Sequence, residues 1–183
     1  MNIHFEKANL SHKETIFNWL KEPHVQEFWD NSQEHKDDIL NFINGRIKPS
    51  SYADGLYTYW IGCIYNEPYC LVMTLQEKQE YSIPLLKKAY LSKHGHTYSM
   101  DYTIGNIAYF GKGLGAKTLE VFIDFIRSSY DSQADTFFID PDVTNPRARH
   151  VYEKVGFKYI DDFIMEGEGV FAGRKTHFLV KRL

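Results

Sequence analysis

The chain has 183 residues, of which 43% are hydrophobic, 25% charged and 16% aromatic. That composition excludes a disordered segment and fits one domain spanning residues 1–183, since domains commonly run to roughly 100–200 residues. Its 21 Lys and Arg against 24 Asp and Glu leave a formal net charge of -3, which argues against nucleic acid as a partner, because counterion release needs a basic surface.

Met1 to His12 alternate polar and apolar residues and lack the basic-then-apolar order of a signal peptide. No apolar run approaches the ~18 residues of a membrane span, so the expectation is a soluble, cytoplasmic protein with no membrane partner. Ile3, Phe5 and Lys7 alternate with their neighbours and predict a first strand. Ser11 and Glu14 fit a capping box, and Ile16, Phe17, Trp19 and Leu20 predict a helix that Pro23 ends. Val25, Phe28 and Trp29 fall in the connection, and a second helix is predicted over Gln33–Ile47. Leu56–Tyr65 and Tyr69–Leu75 are dense in β-branched and aromatic residues around an Asn66-Glu67-Pro68 turn, which is a hairpin pattern. Cys63 and Cys70 fall in those neighbouring strands and make neither a disulfide framework nor a zinc site.

Pro84–Leu91 reads as a short helix and Tyr98–Ile104 as the next strand. A helix follows over Ala116–Ser129, then a short buried strand over Thr136–Ile139. Asn145-Pro146 opens another helix, and Gly156 supplies its left-handed stop. Phe157–Phe163 and His177–Val180 read as the last strands. One mixed sheet with helices on its faces is the economical architecture.

The segment Phe110-Gly111-Lys112-Gly113-Leu114-Gly115-Ala116 lies between a strand and a helix N-terminus. Amides there are unpaired, the helix dipole adds partial positive charge, and glycine removes the Cβ atoms that hold an anion away. Lys112 adds a point charge at the rim. Alone the cluster is also compatible with an ordinary tight connection. It satisfies G-x-G-x-x-A as well, but helices followed by a hairpin in the N-terminal half do not supply repeated βαβ units. A Walker loop is excluded, because no Gly-Lys-Ser/Thr follows at the required spacing.

A second segment, from Asp140 to Phe157, follows the buried strand directly and holds Asn145, Ala148, Tyr152, Gly156 and Phe157 in that order. With the glycine loop, this arrangement resembles the GNAT superfamily of acyl-CoA-dependent N-acetyltransferases. Phe110 departs from that family's usual Arg/Gln at the head of the loop. An apolar residue there, Asp101, Asp140-Pro141, and the stretch Trp19-Leu20…His24-Val25…Glu27-Phe28-Trp29 are similar to the aminoglycoside 6'-N-acetyltransferase branch.

The resemblance implies an α+β fold: a mixed, mostly antiparallel sheet of six to seven strands, splayed between the fourth and fifth and flanked by helices. It also implies acetyl-CoA as co-substrate and direct transfer to a small-molecule amine. Thr103, Ile104, Phe110, Gly111, Lys112, Gly113, Leu114, Gly115, Asn145 and Tyr152 are then expected to hold acetyl-CoA, with a backbone amide near Ile104 serving the thioester oxygen. Tyr152 is the expected general acid, since a phenol near pKa 10 stays protonated at neutral pH; its plain alternative is a packed aromatic. Asp101 is expected to orient the amine or take its proton, and with Asp140, Phe28 and Trp29 to bind the acceptor. Glu27, Asp30, Glu77 and Glu80 could extend the acidic patch, although Glu77–Glu80 also reads as a solvated loop. His94 and His96 lack a third ligand, and no metal is required. The competing readings are a siderophore-type acyltransferase acting on a hydroxylysine-like amine, a non-catalytic coenzyme A-binding module, and protein N-terminal acetylation.

Overall fold

The computed structural model describes residues 2–81, 83–166 and 169–183. The strands are β1 (Ile3–Lys7), β2 (Thr58–Ile64), β3 (Glu67–Glu77), β4 (His96–Ile104), β5 (Ala134–Ile139), β6 (Lys158–Ile164) and β7 (Lys175–Arg182). They form a seven-stranded sheet in the order β1-β2-β3-β4-β5-β7-β6. Every neighbouring pair is antiparallel except β4 and β5. The helices are α1 (Lys13–Trp19), α2 (Pro23–Gln26), α3 (Gln33–Ile43), α4 (Leu85–Tyr90), α5 (Leu114–Phe125) and α6 (Pro146–Lys154). Among the described residues no helix is long and apolar enough to cross a membrane.

Strand pleating sends alternate side chains to opposite faces. Tyr98, Met100 and Val72 join Leu119, Phe122 and Ile123 of α5 in one buried cluster. Leu71, Met73, Tyr59 and Ile61 join Ile16, Trp19 and Ile39 of the N-terminal helices in another. Asp101 pairs in register with Met73 and Ser99 with Leu75, which places both on the N-terminal-helix face. A carboxylate of α3, Asp38, is buried and accepts hydrogen bonds from Tyr59 Oη at 2.8 Å and Arg46 Nη1 at 2.6 Å. Arg46 also donates to the Tyr57 carbonyl, so this ion pair ties α3 to the start of β2.

The sheet is parted in the middle. β4 pairs with β5 only over His96–Ser99, while Met100–Ile104 stay on β3 alone. β5 stops at Ile139, and Pro141, with no N–H, cannot extend it. The expected splay between the fourth and fifth strands is present.

Several boundaries differ from the sequence reading. Asn9, not Ser11, caps the first helical turn: its side chain accepts from the Ser11 N–H and it forms the capping box with His12. Pro23 opens α2 at its first position rather than merely ending α1, which places Val25 in a helix. α3 ends at Ile43, and Ile47 is exposed. The hairpin turns at Tyr65-Asn66, with φ of 49° and 68°, the left-handed pair of a two-residue loop; Glu67 and Pro68 already belong to β3. Cys63 and Cys70 are free and buried. Asn145 caps α6 and Gly156 takes φ of 94° after it, as the sequence predicts.

Gly105 follows β4 directly against Trp19, and a Cβ there would come within 2.2 Å of the indole. Gly105→Ala is therefore expected to lower stability by about 1–3 kcal/mol and the melting temperature by roughly 3–10 °C, read by thermal unfolding. An unchanged melting temperature would show that α1 is not seated on the end of β4.

Candidate active site

One cleft of about 1180 Å³ reaches from the Gly111–Gly115 loop to Asp101 and Asp140, with Tyr152 on its wall. That exceeds the few hundred to ~1,000 Å³ of a site for one drug-sized ligand, so two substrates fit end to end.

At the loop end, Gly111 and Gly113 adopt φ of 73° and 72°, and a Cβ on either would meet nothing. Gly113 is the N-cap of α5 and no side chain caps that helix. The first-turn amides of this twelve-residue helix are thus available to an anion, as the sequence expectation requires. Gly115 has a second reason to be glycine: its Cβ would stand 3.0 Å from Val151 Cγ1, where α6 crosses α5. Lys112 is exposed and lies over the Tyr109 ring at 6.0 Å, outside the cleft lining.

Phe110 is sandwiched. The His24 ring lies at 4.3 Å on a tilted plane and the Arg147 guanidinium at 4.7 Å. Arg147 therefore brings a cation to the head of the loop, where Phe110 itself carries none. His24 Nε2 is 2.8 Å from the Ile104 carbonyl, so this nitrogen is the donor and the ring ties α2 to the free end of β4. Thr103, Ile104 and Leu114 line the cleft. Asn145 also lines it, while its side chain accepts the Ala148 N–H at 3.1 Å.

The other end is acidic and enclosed. Asp101 is pushed up to about 7 by burial and by the charge of Asp140, with Lys87 offsetting part of the rise. Asp140 receives Lys87 Nζ at 3.3 Å on both carboxylate oxygens. Burial pulls Lys87 down, but Asp140, Glu77 and Asp101 outweigh it and hold the ammonium charged. Glu77, which could have been a solvated loop residue, is 8% exposed, accepts a hydrogen bond from Ser99 Oγ, and is raised by burial. Asp30 is buried on the same cleft; Glu27 and Glu80 are exposed and outside its lining. Tyr57 is raised by burial and by the charges of Asp101, Asp140, Glu77 and Asp30.

Phe28 and Trp29 both line the cleft, and Trp29 is at the same time part of the core under α1–α3. Tyr152 is 7% exposed, and burial, then Asp101 and Asp140, raise its hydroxyl, so it holds its proton well past neutrality. Lys87, His24, Arg147 and Tyr57 were missed as site residues in the sequence. Only His24 carried a signal, as part of the Trp19–Trp29 stretch.

The model of the Acetyltransferase (GNAT) domain family matches residues 9–165. The chain belongs to the GNAT acetyltransferase family. Within GNAT, the aminoglycoside N(6')-acetyltransferase type 1 of Klebsiella pneumoniae is 24% identical over 145 residues, covering 78% of this chain and 67% of that protein. The crystal structure of an aminoglycoside N(6')-acetyltransferase from Legionella pneumophila aligns with a TM-score of 0.74 and 25% identity, over 98% of this chain and 92% of that one. The aminoglycoside acetyltransferase AAC(6')-Ib in complex with coenzyme A and kanamycin aligns with a TM-score of 0.72 and 18% identity, over 99% and 95%. This last likeness bears on the fold, which is that of a GNAT protein. GNAT enzymes use acetyl-CoA as co-substrate.

Because its folded-state pKa is raised from 3.8 to about 7, Asp101 stabilises the fold while protonated, and that contribution fades as pH rises through about 7. Asp101→Asn is expected to gain on the wild type as pH climbs from about 4 to 8, in melting curves taken across that range. A difference that stays flat over that range would place a solvated carboxylate at this position, and a wild type that gains on the variant an ion-paired one.

Proposed function

We propose that this chain is an acetyl-CoA-dependent N-acetyltransferase that moves an acetyl group directly to a primary amine of a cationic small molecule, with the 6'-amine of an aminoglycoside as the type acceptor. The observation that carries this reading is the continuity of the cleft: an uncapped, glycine-headed helix N-terminus at one end, buried carboxylates at the other, and Tyr152 on the wall of the same cleft. The relatives named above are aminoglycoside N(6')-acetyltransferases, which supports the choice of acceptor. Residues 1–183 act in this reading as a single catalytic domain, and a cytoplasmic location goes with it.

Bound acetyl-CoA supplies the acetyl group as a thioester: the new N–C bond forms, the C–S bond breaks, and the amine's proton and the sulfur's missing proton must both be handled. The amides of Gly113, Leu114 and Gly115 receive the diphosphate, with Arg147 beside them as a charge-assisted donor. Thr103 and Ile104, at the free end of β4, face the pantetheine side of the cleft. Asp101 binds the acceptor ammonium and accepts its proton. An ordinary aspartate near pKa 4 is a poor base for this task; the value of about 7 removes that objection. Tyr152, protonated well past neutrality, hydrogen-bonds the sulfur from Oη as charge develops there and passes its proton while the C–S bond breaks; the second proton shed by the acylated nitrogen restores the phenol. Phe28, Trp29 and Tyr57 wall the acceptor and keep water from the carboxylates.

Thiol release from acetyl-CoA across aminoglycosides, polyamines, hydroxylamines and peptides tests the reading. Kanamycin-type compounds are expected to accelerate it and hydroxylysine is not; the reverse result hands the site to the siderophore-type alternative. Expression in a sensitive bacterium is expected to raise the kanamycin concentration needed to stop growth. Tyr152→Phe is expected to cut kcat by about 10²-fold while calorimetry shows coenzyme A binding unchanged. The wild-type kcat/KM is expected to rise about tenfold per pH unit up to about 7 and level off once Asp101 is ionised. Coenzyme A binding without any turnover would leave a binding module instead.

A further inference from the structure

Lys87 is out of place for a lysine. It is 9% exposed, on the inner face of α4, with Nζ 5.5 Å from the Phe163 ring and 3.3 Å from both oxygens of Asp140. Lysines are almost never this buried unless paired. A buried ion pair is commonly replaceable by well-packed apolar residues at no loss, so stability alone does not account for one. Its place is the informative feature. The ammonium lines the acceptor end of the cleft, and the charges facing it are Asp140 after β5, Asp101 on β4 and Glu77 on β3.

Resting on the reading above, we propose that Lys87 is a specificity residue: a built-in ammonium that fills the subsite at Asp140, so that an acceptor presents one ammonium group to the sheet, at Asp101. Asp30, Glu77, Asp101 and Asp140 line the cleft with Tyr57, yet they do not offer four open anionic subsites. Asp140 is occupied by Lys87. Glu77 is engaged by Ser99 on one oxygen, and its other oxygen, Oε2, is buried. Asp30 accepts the Ser32 N–H at 2.8 Å at the far wall. A second ammonium aimed at Asp140 meets a like charge where it needs an opposite one, which discriminates by repulsion rather than by lost contact. The acceptor class selected is an amine whose neighbouring cations lie toward the Asp30 wall, not along the sheet ends. Shortening Lys87 reopens the subsite.

The test compares 1,4-diaminobutane with n-butylamine, which differ by one ammonium, on the wild type, Lys87→Ala and Lys87→Gln. Binding is read without acetyl-CoA as the melting-temperature shift with amine concentration, and turnover as thiol release. In the wild type the two amines are expected to lie within about threefold of each other. In both variants the ratio of kcat/KM for the diamine to that for n-butylamine is expected to rise about tenfold or more, a ratio in which any change at Asp101 cancels. Added propylammonium is expected to erase that gain by refilling the subsite at Asp140. Lys87→Arg is expected to discriminate like the wild type, and Lys87→Met/Asp140→Asn to show no gain. Unchanged discrimination in a folded Lys87→Gln, or a gain that propylammonium leaves intact, overturns the proposal. If no amine is turned over by any form, the acetyltransferase reading falls, while the melting shifts still decide the role of Lys87.

Discussion

The structure depends on one broken pairing. Parallel strands β4 and β5 hydrogen-bond over His96–Ser99 and then separate, leaving Met100–Ile104 attached to β3 only. A sheet paired to the end would have no interior opening, and unpaired backbone is tolerated in a core only where something else satisfies it. Here the His24 ring satisfies one such group, the Ile104 carbonyl. The rest of the free edge lies along the cleft, where a ligand's amide groups can pair with it. The parting thus positions both ends of the cleft: the strand end that carries Asp101, and the helix end that begins beyond Phe110.

Two electrostatic environments of opposite sign are held at the ends of one opening. At the loop, the uncapped start of α5 and the Arg147 guanidinium stacked on Phe110 favour an anion. At the other end, buried carboxylates favour a cation, and burial, then the charge of Asp140, raises Asp101 to about 7. Burial, then the charges of Asp101 and Asp140, keep the Tyr152 hydroxyl protonated well past neutrality.

The elements that could be read in the sequence are those with local causes. The glycine loop, Asn145-Pro146 and Gly156 each answer to backbone rules that act within a few residues, and each stands where expected. The strands followed from β-branched and aromatic density. Boundaries failed where two local signals competed: Asn9 and Ser11 are both capping residues, and tertiary seating chose Asn9. Ile47 has the right period for α3, but the chain turns at Gly45 with φ of 83°, before reaching it. The acceptor end was least legible. Lys87 and Glu77 sit in charged stretches that ordinarily face water, and only the approach of α4 to β3, β4 and β5 encloses them. Long-range juxtapositions of that kind leave no periodic trace in a single sequence.

The central claim is that one opening, created by the parting of β4 from β5, receives coenzyme A along its free edge and against the start of α5. Backbone amide resonances of the isotopically labelled protein, followed as coenzyme A is added, test this most directly. The account predicts that the largest shifts fall at Thr103–Ile104 and Gly111–Ala116, with those of β1 and β2 unmoved. Saturable shifts confined to another surface, with residues 103–116 silent, would contradict it.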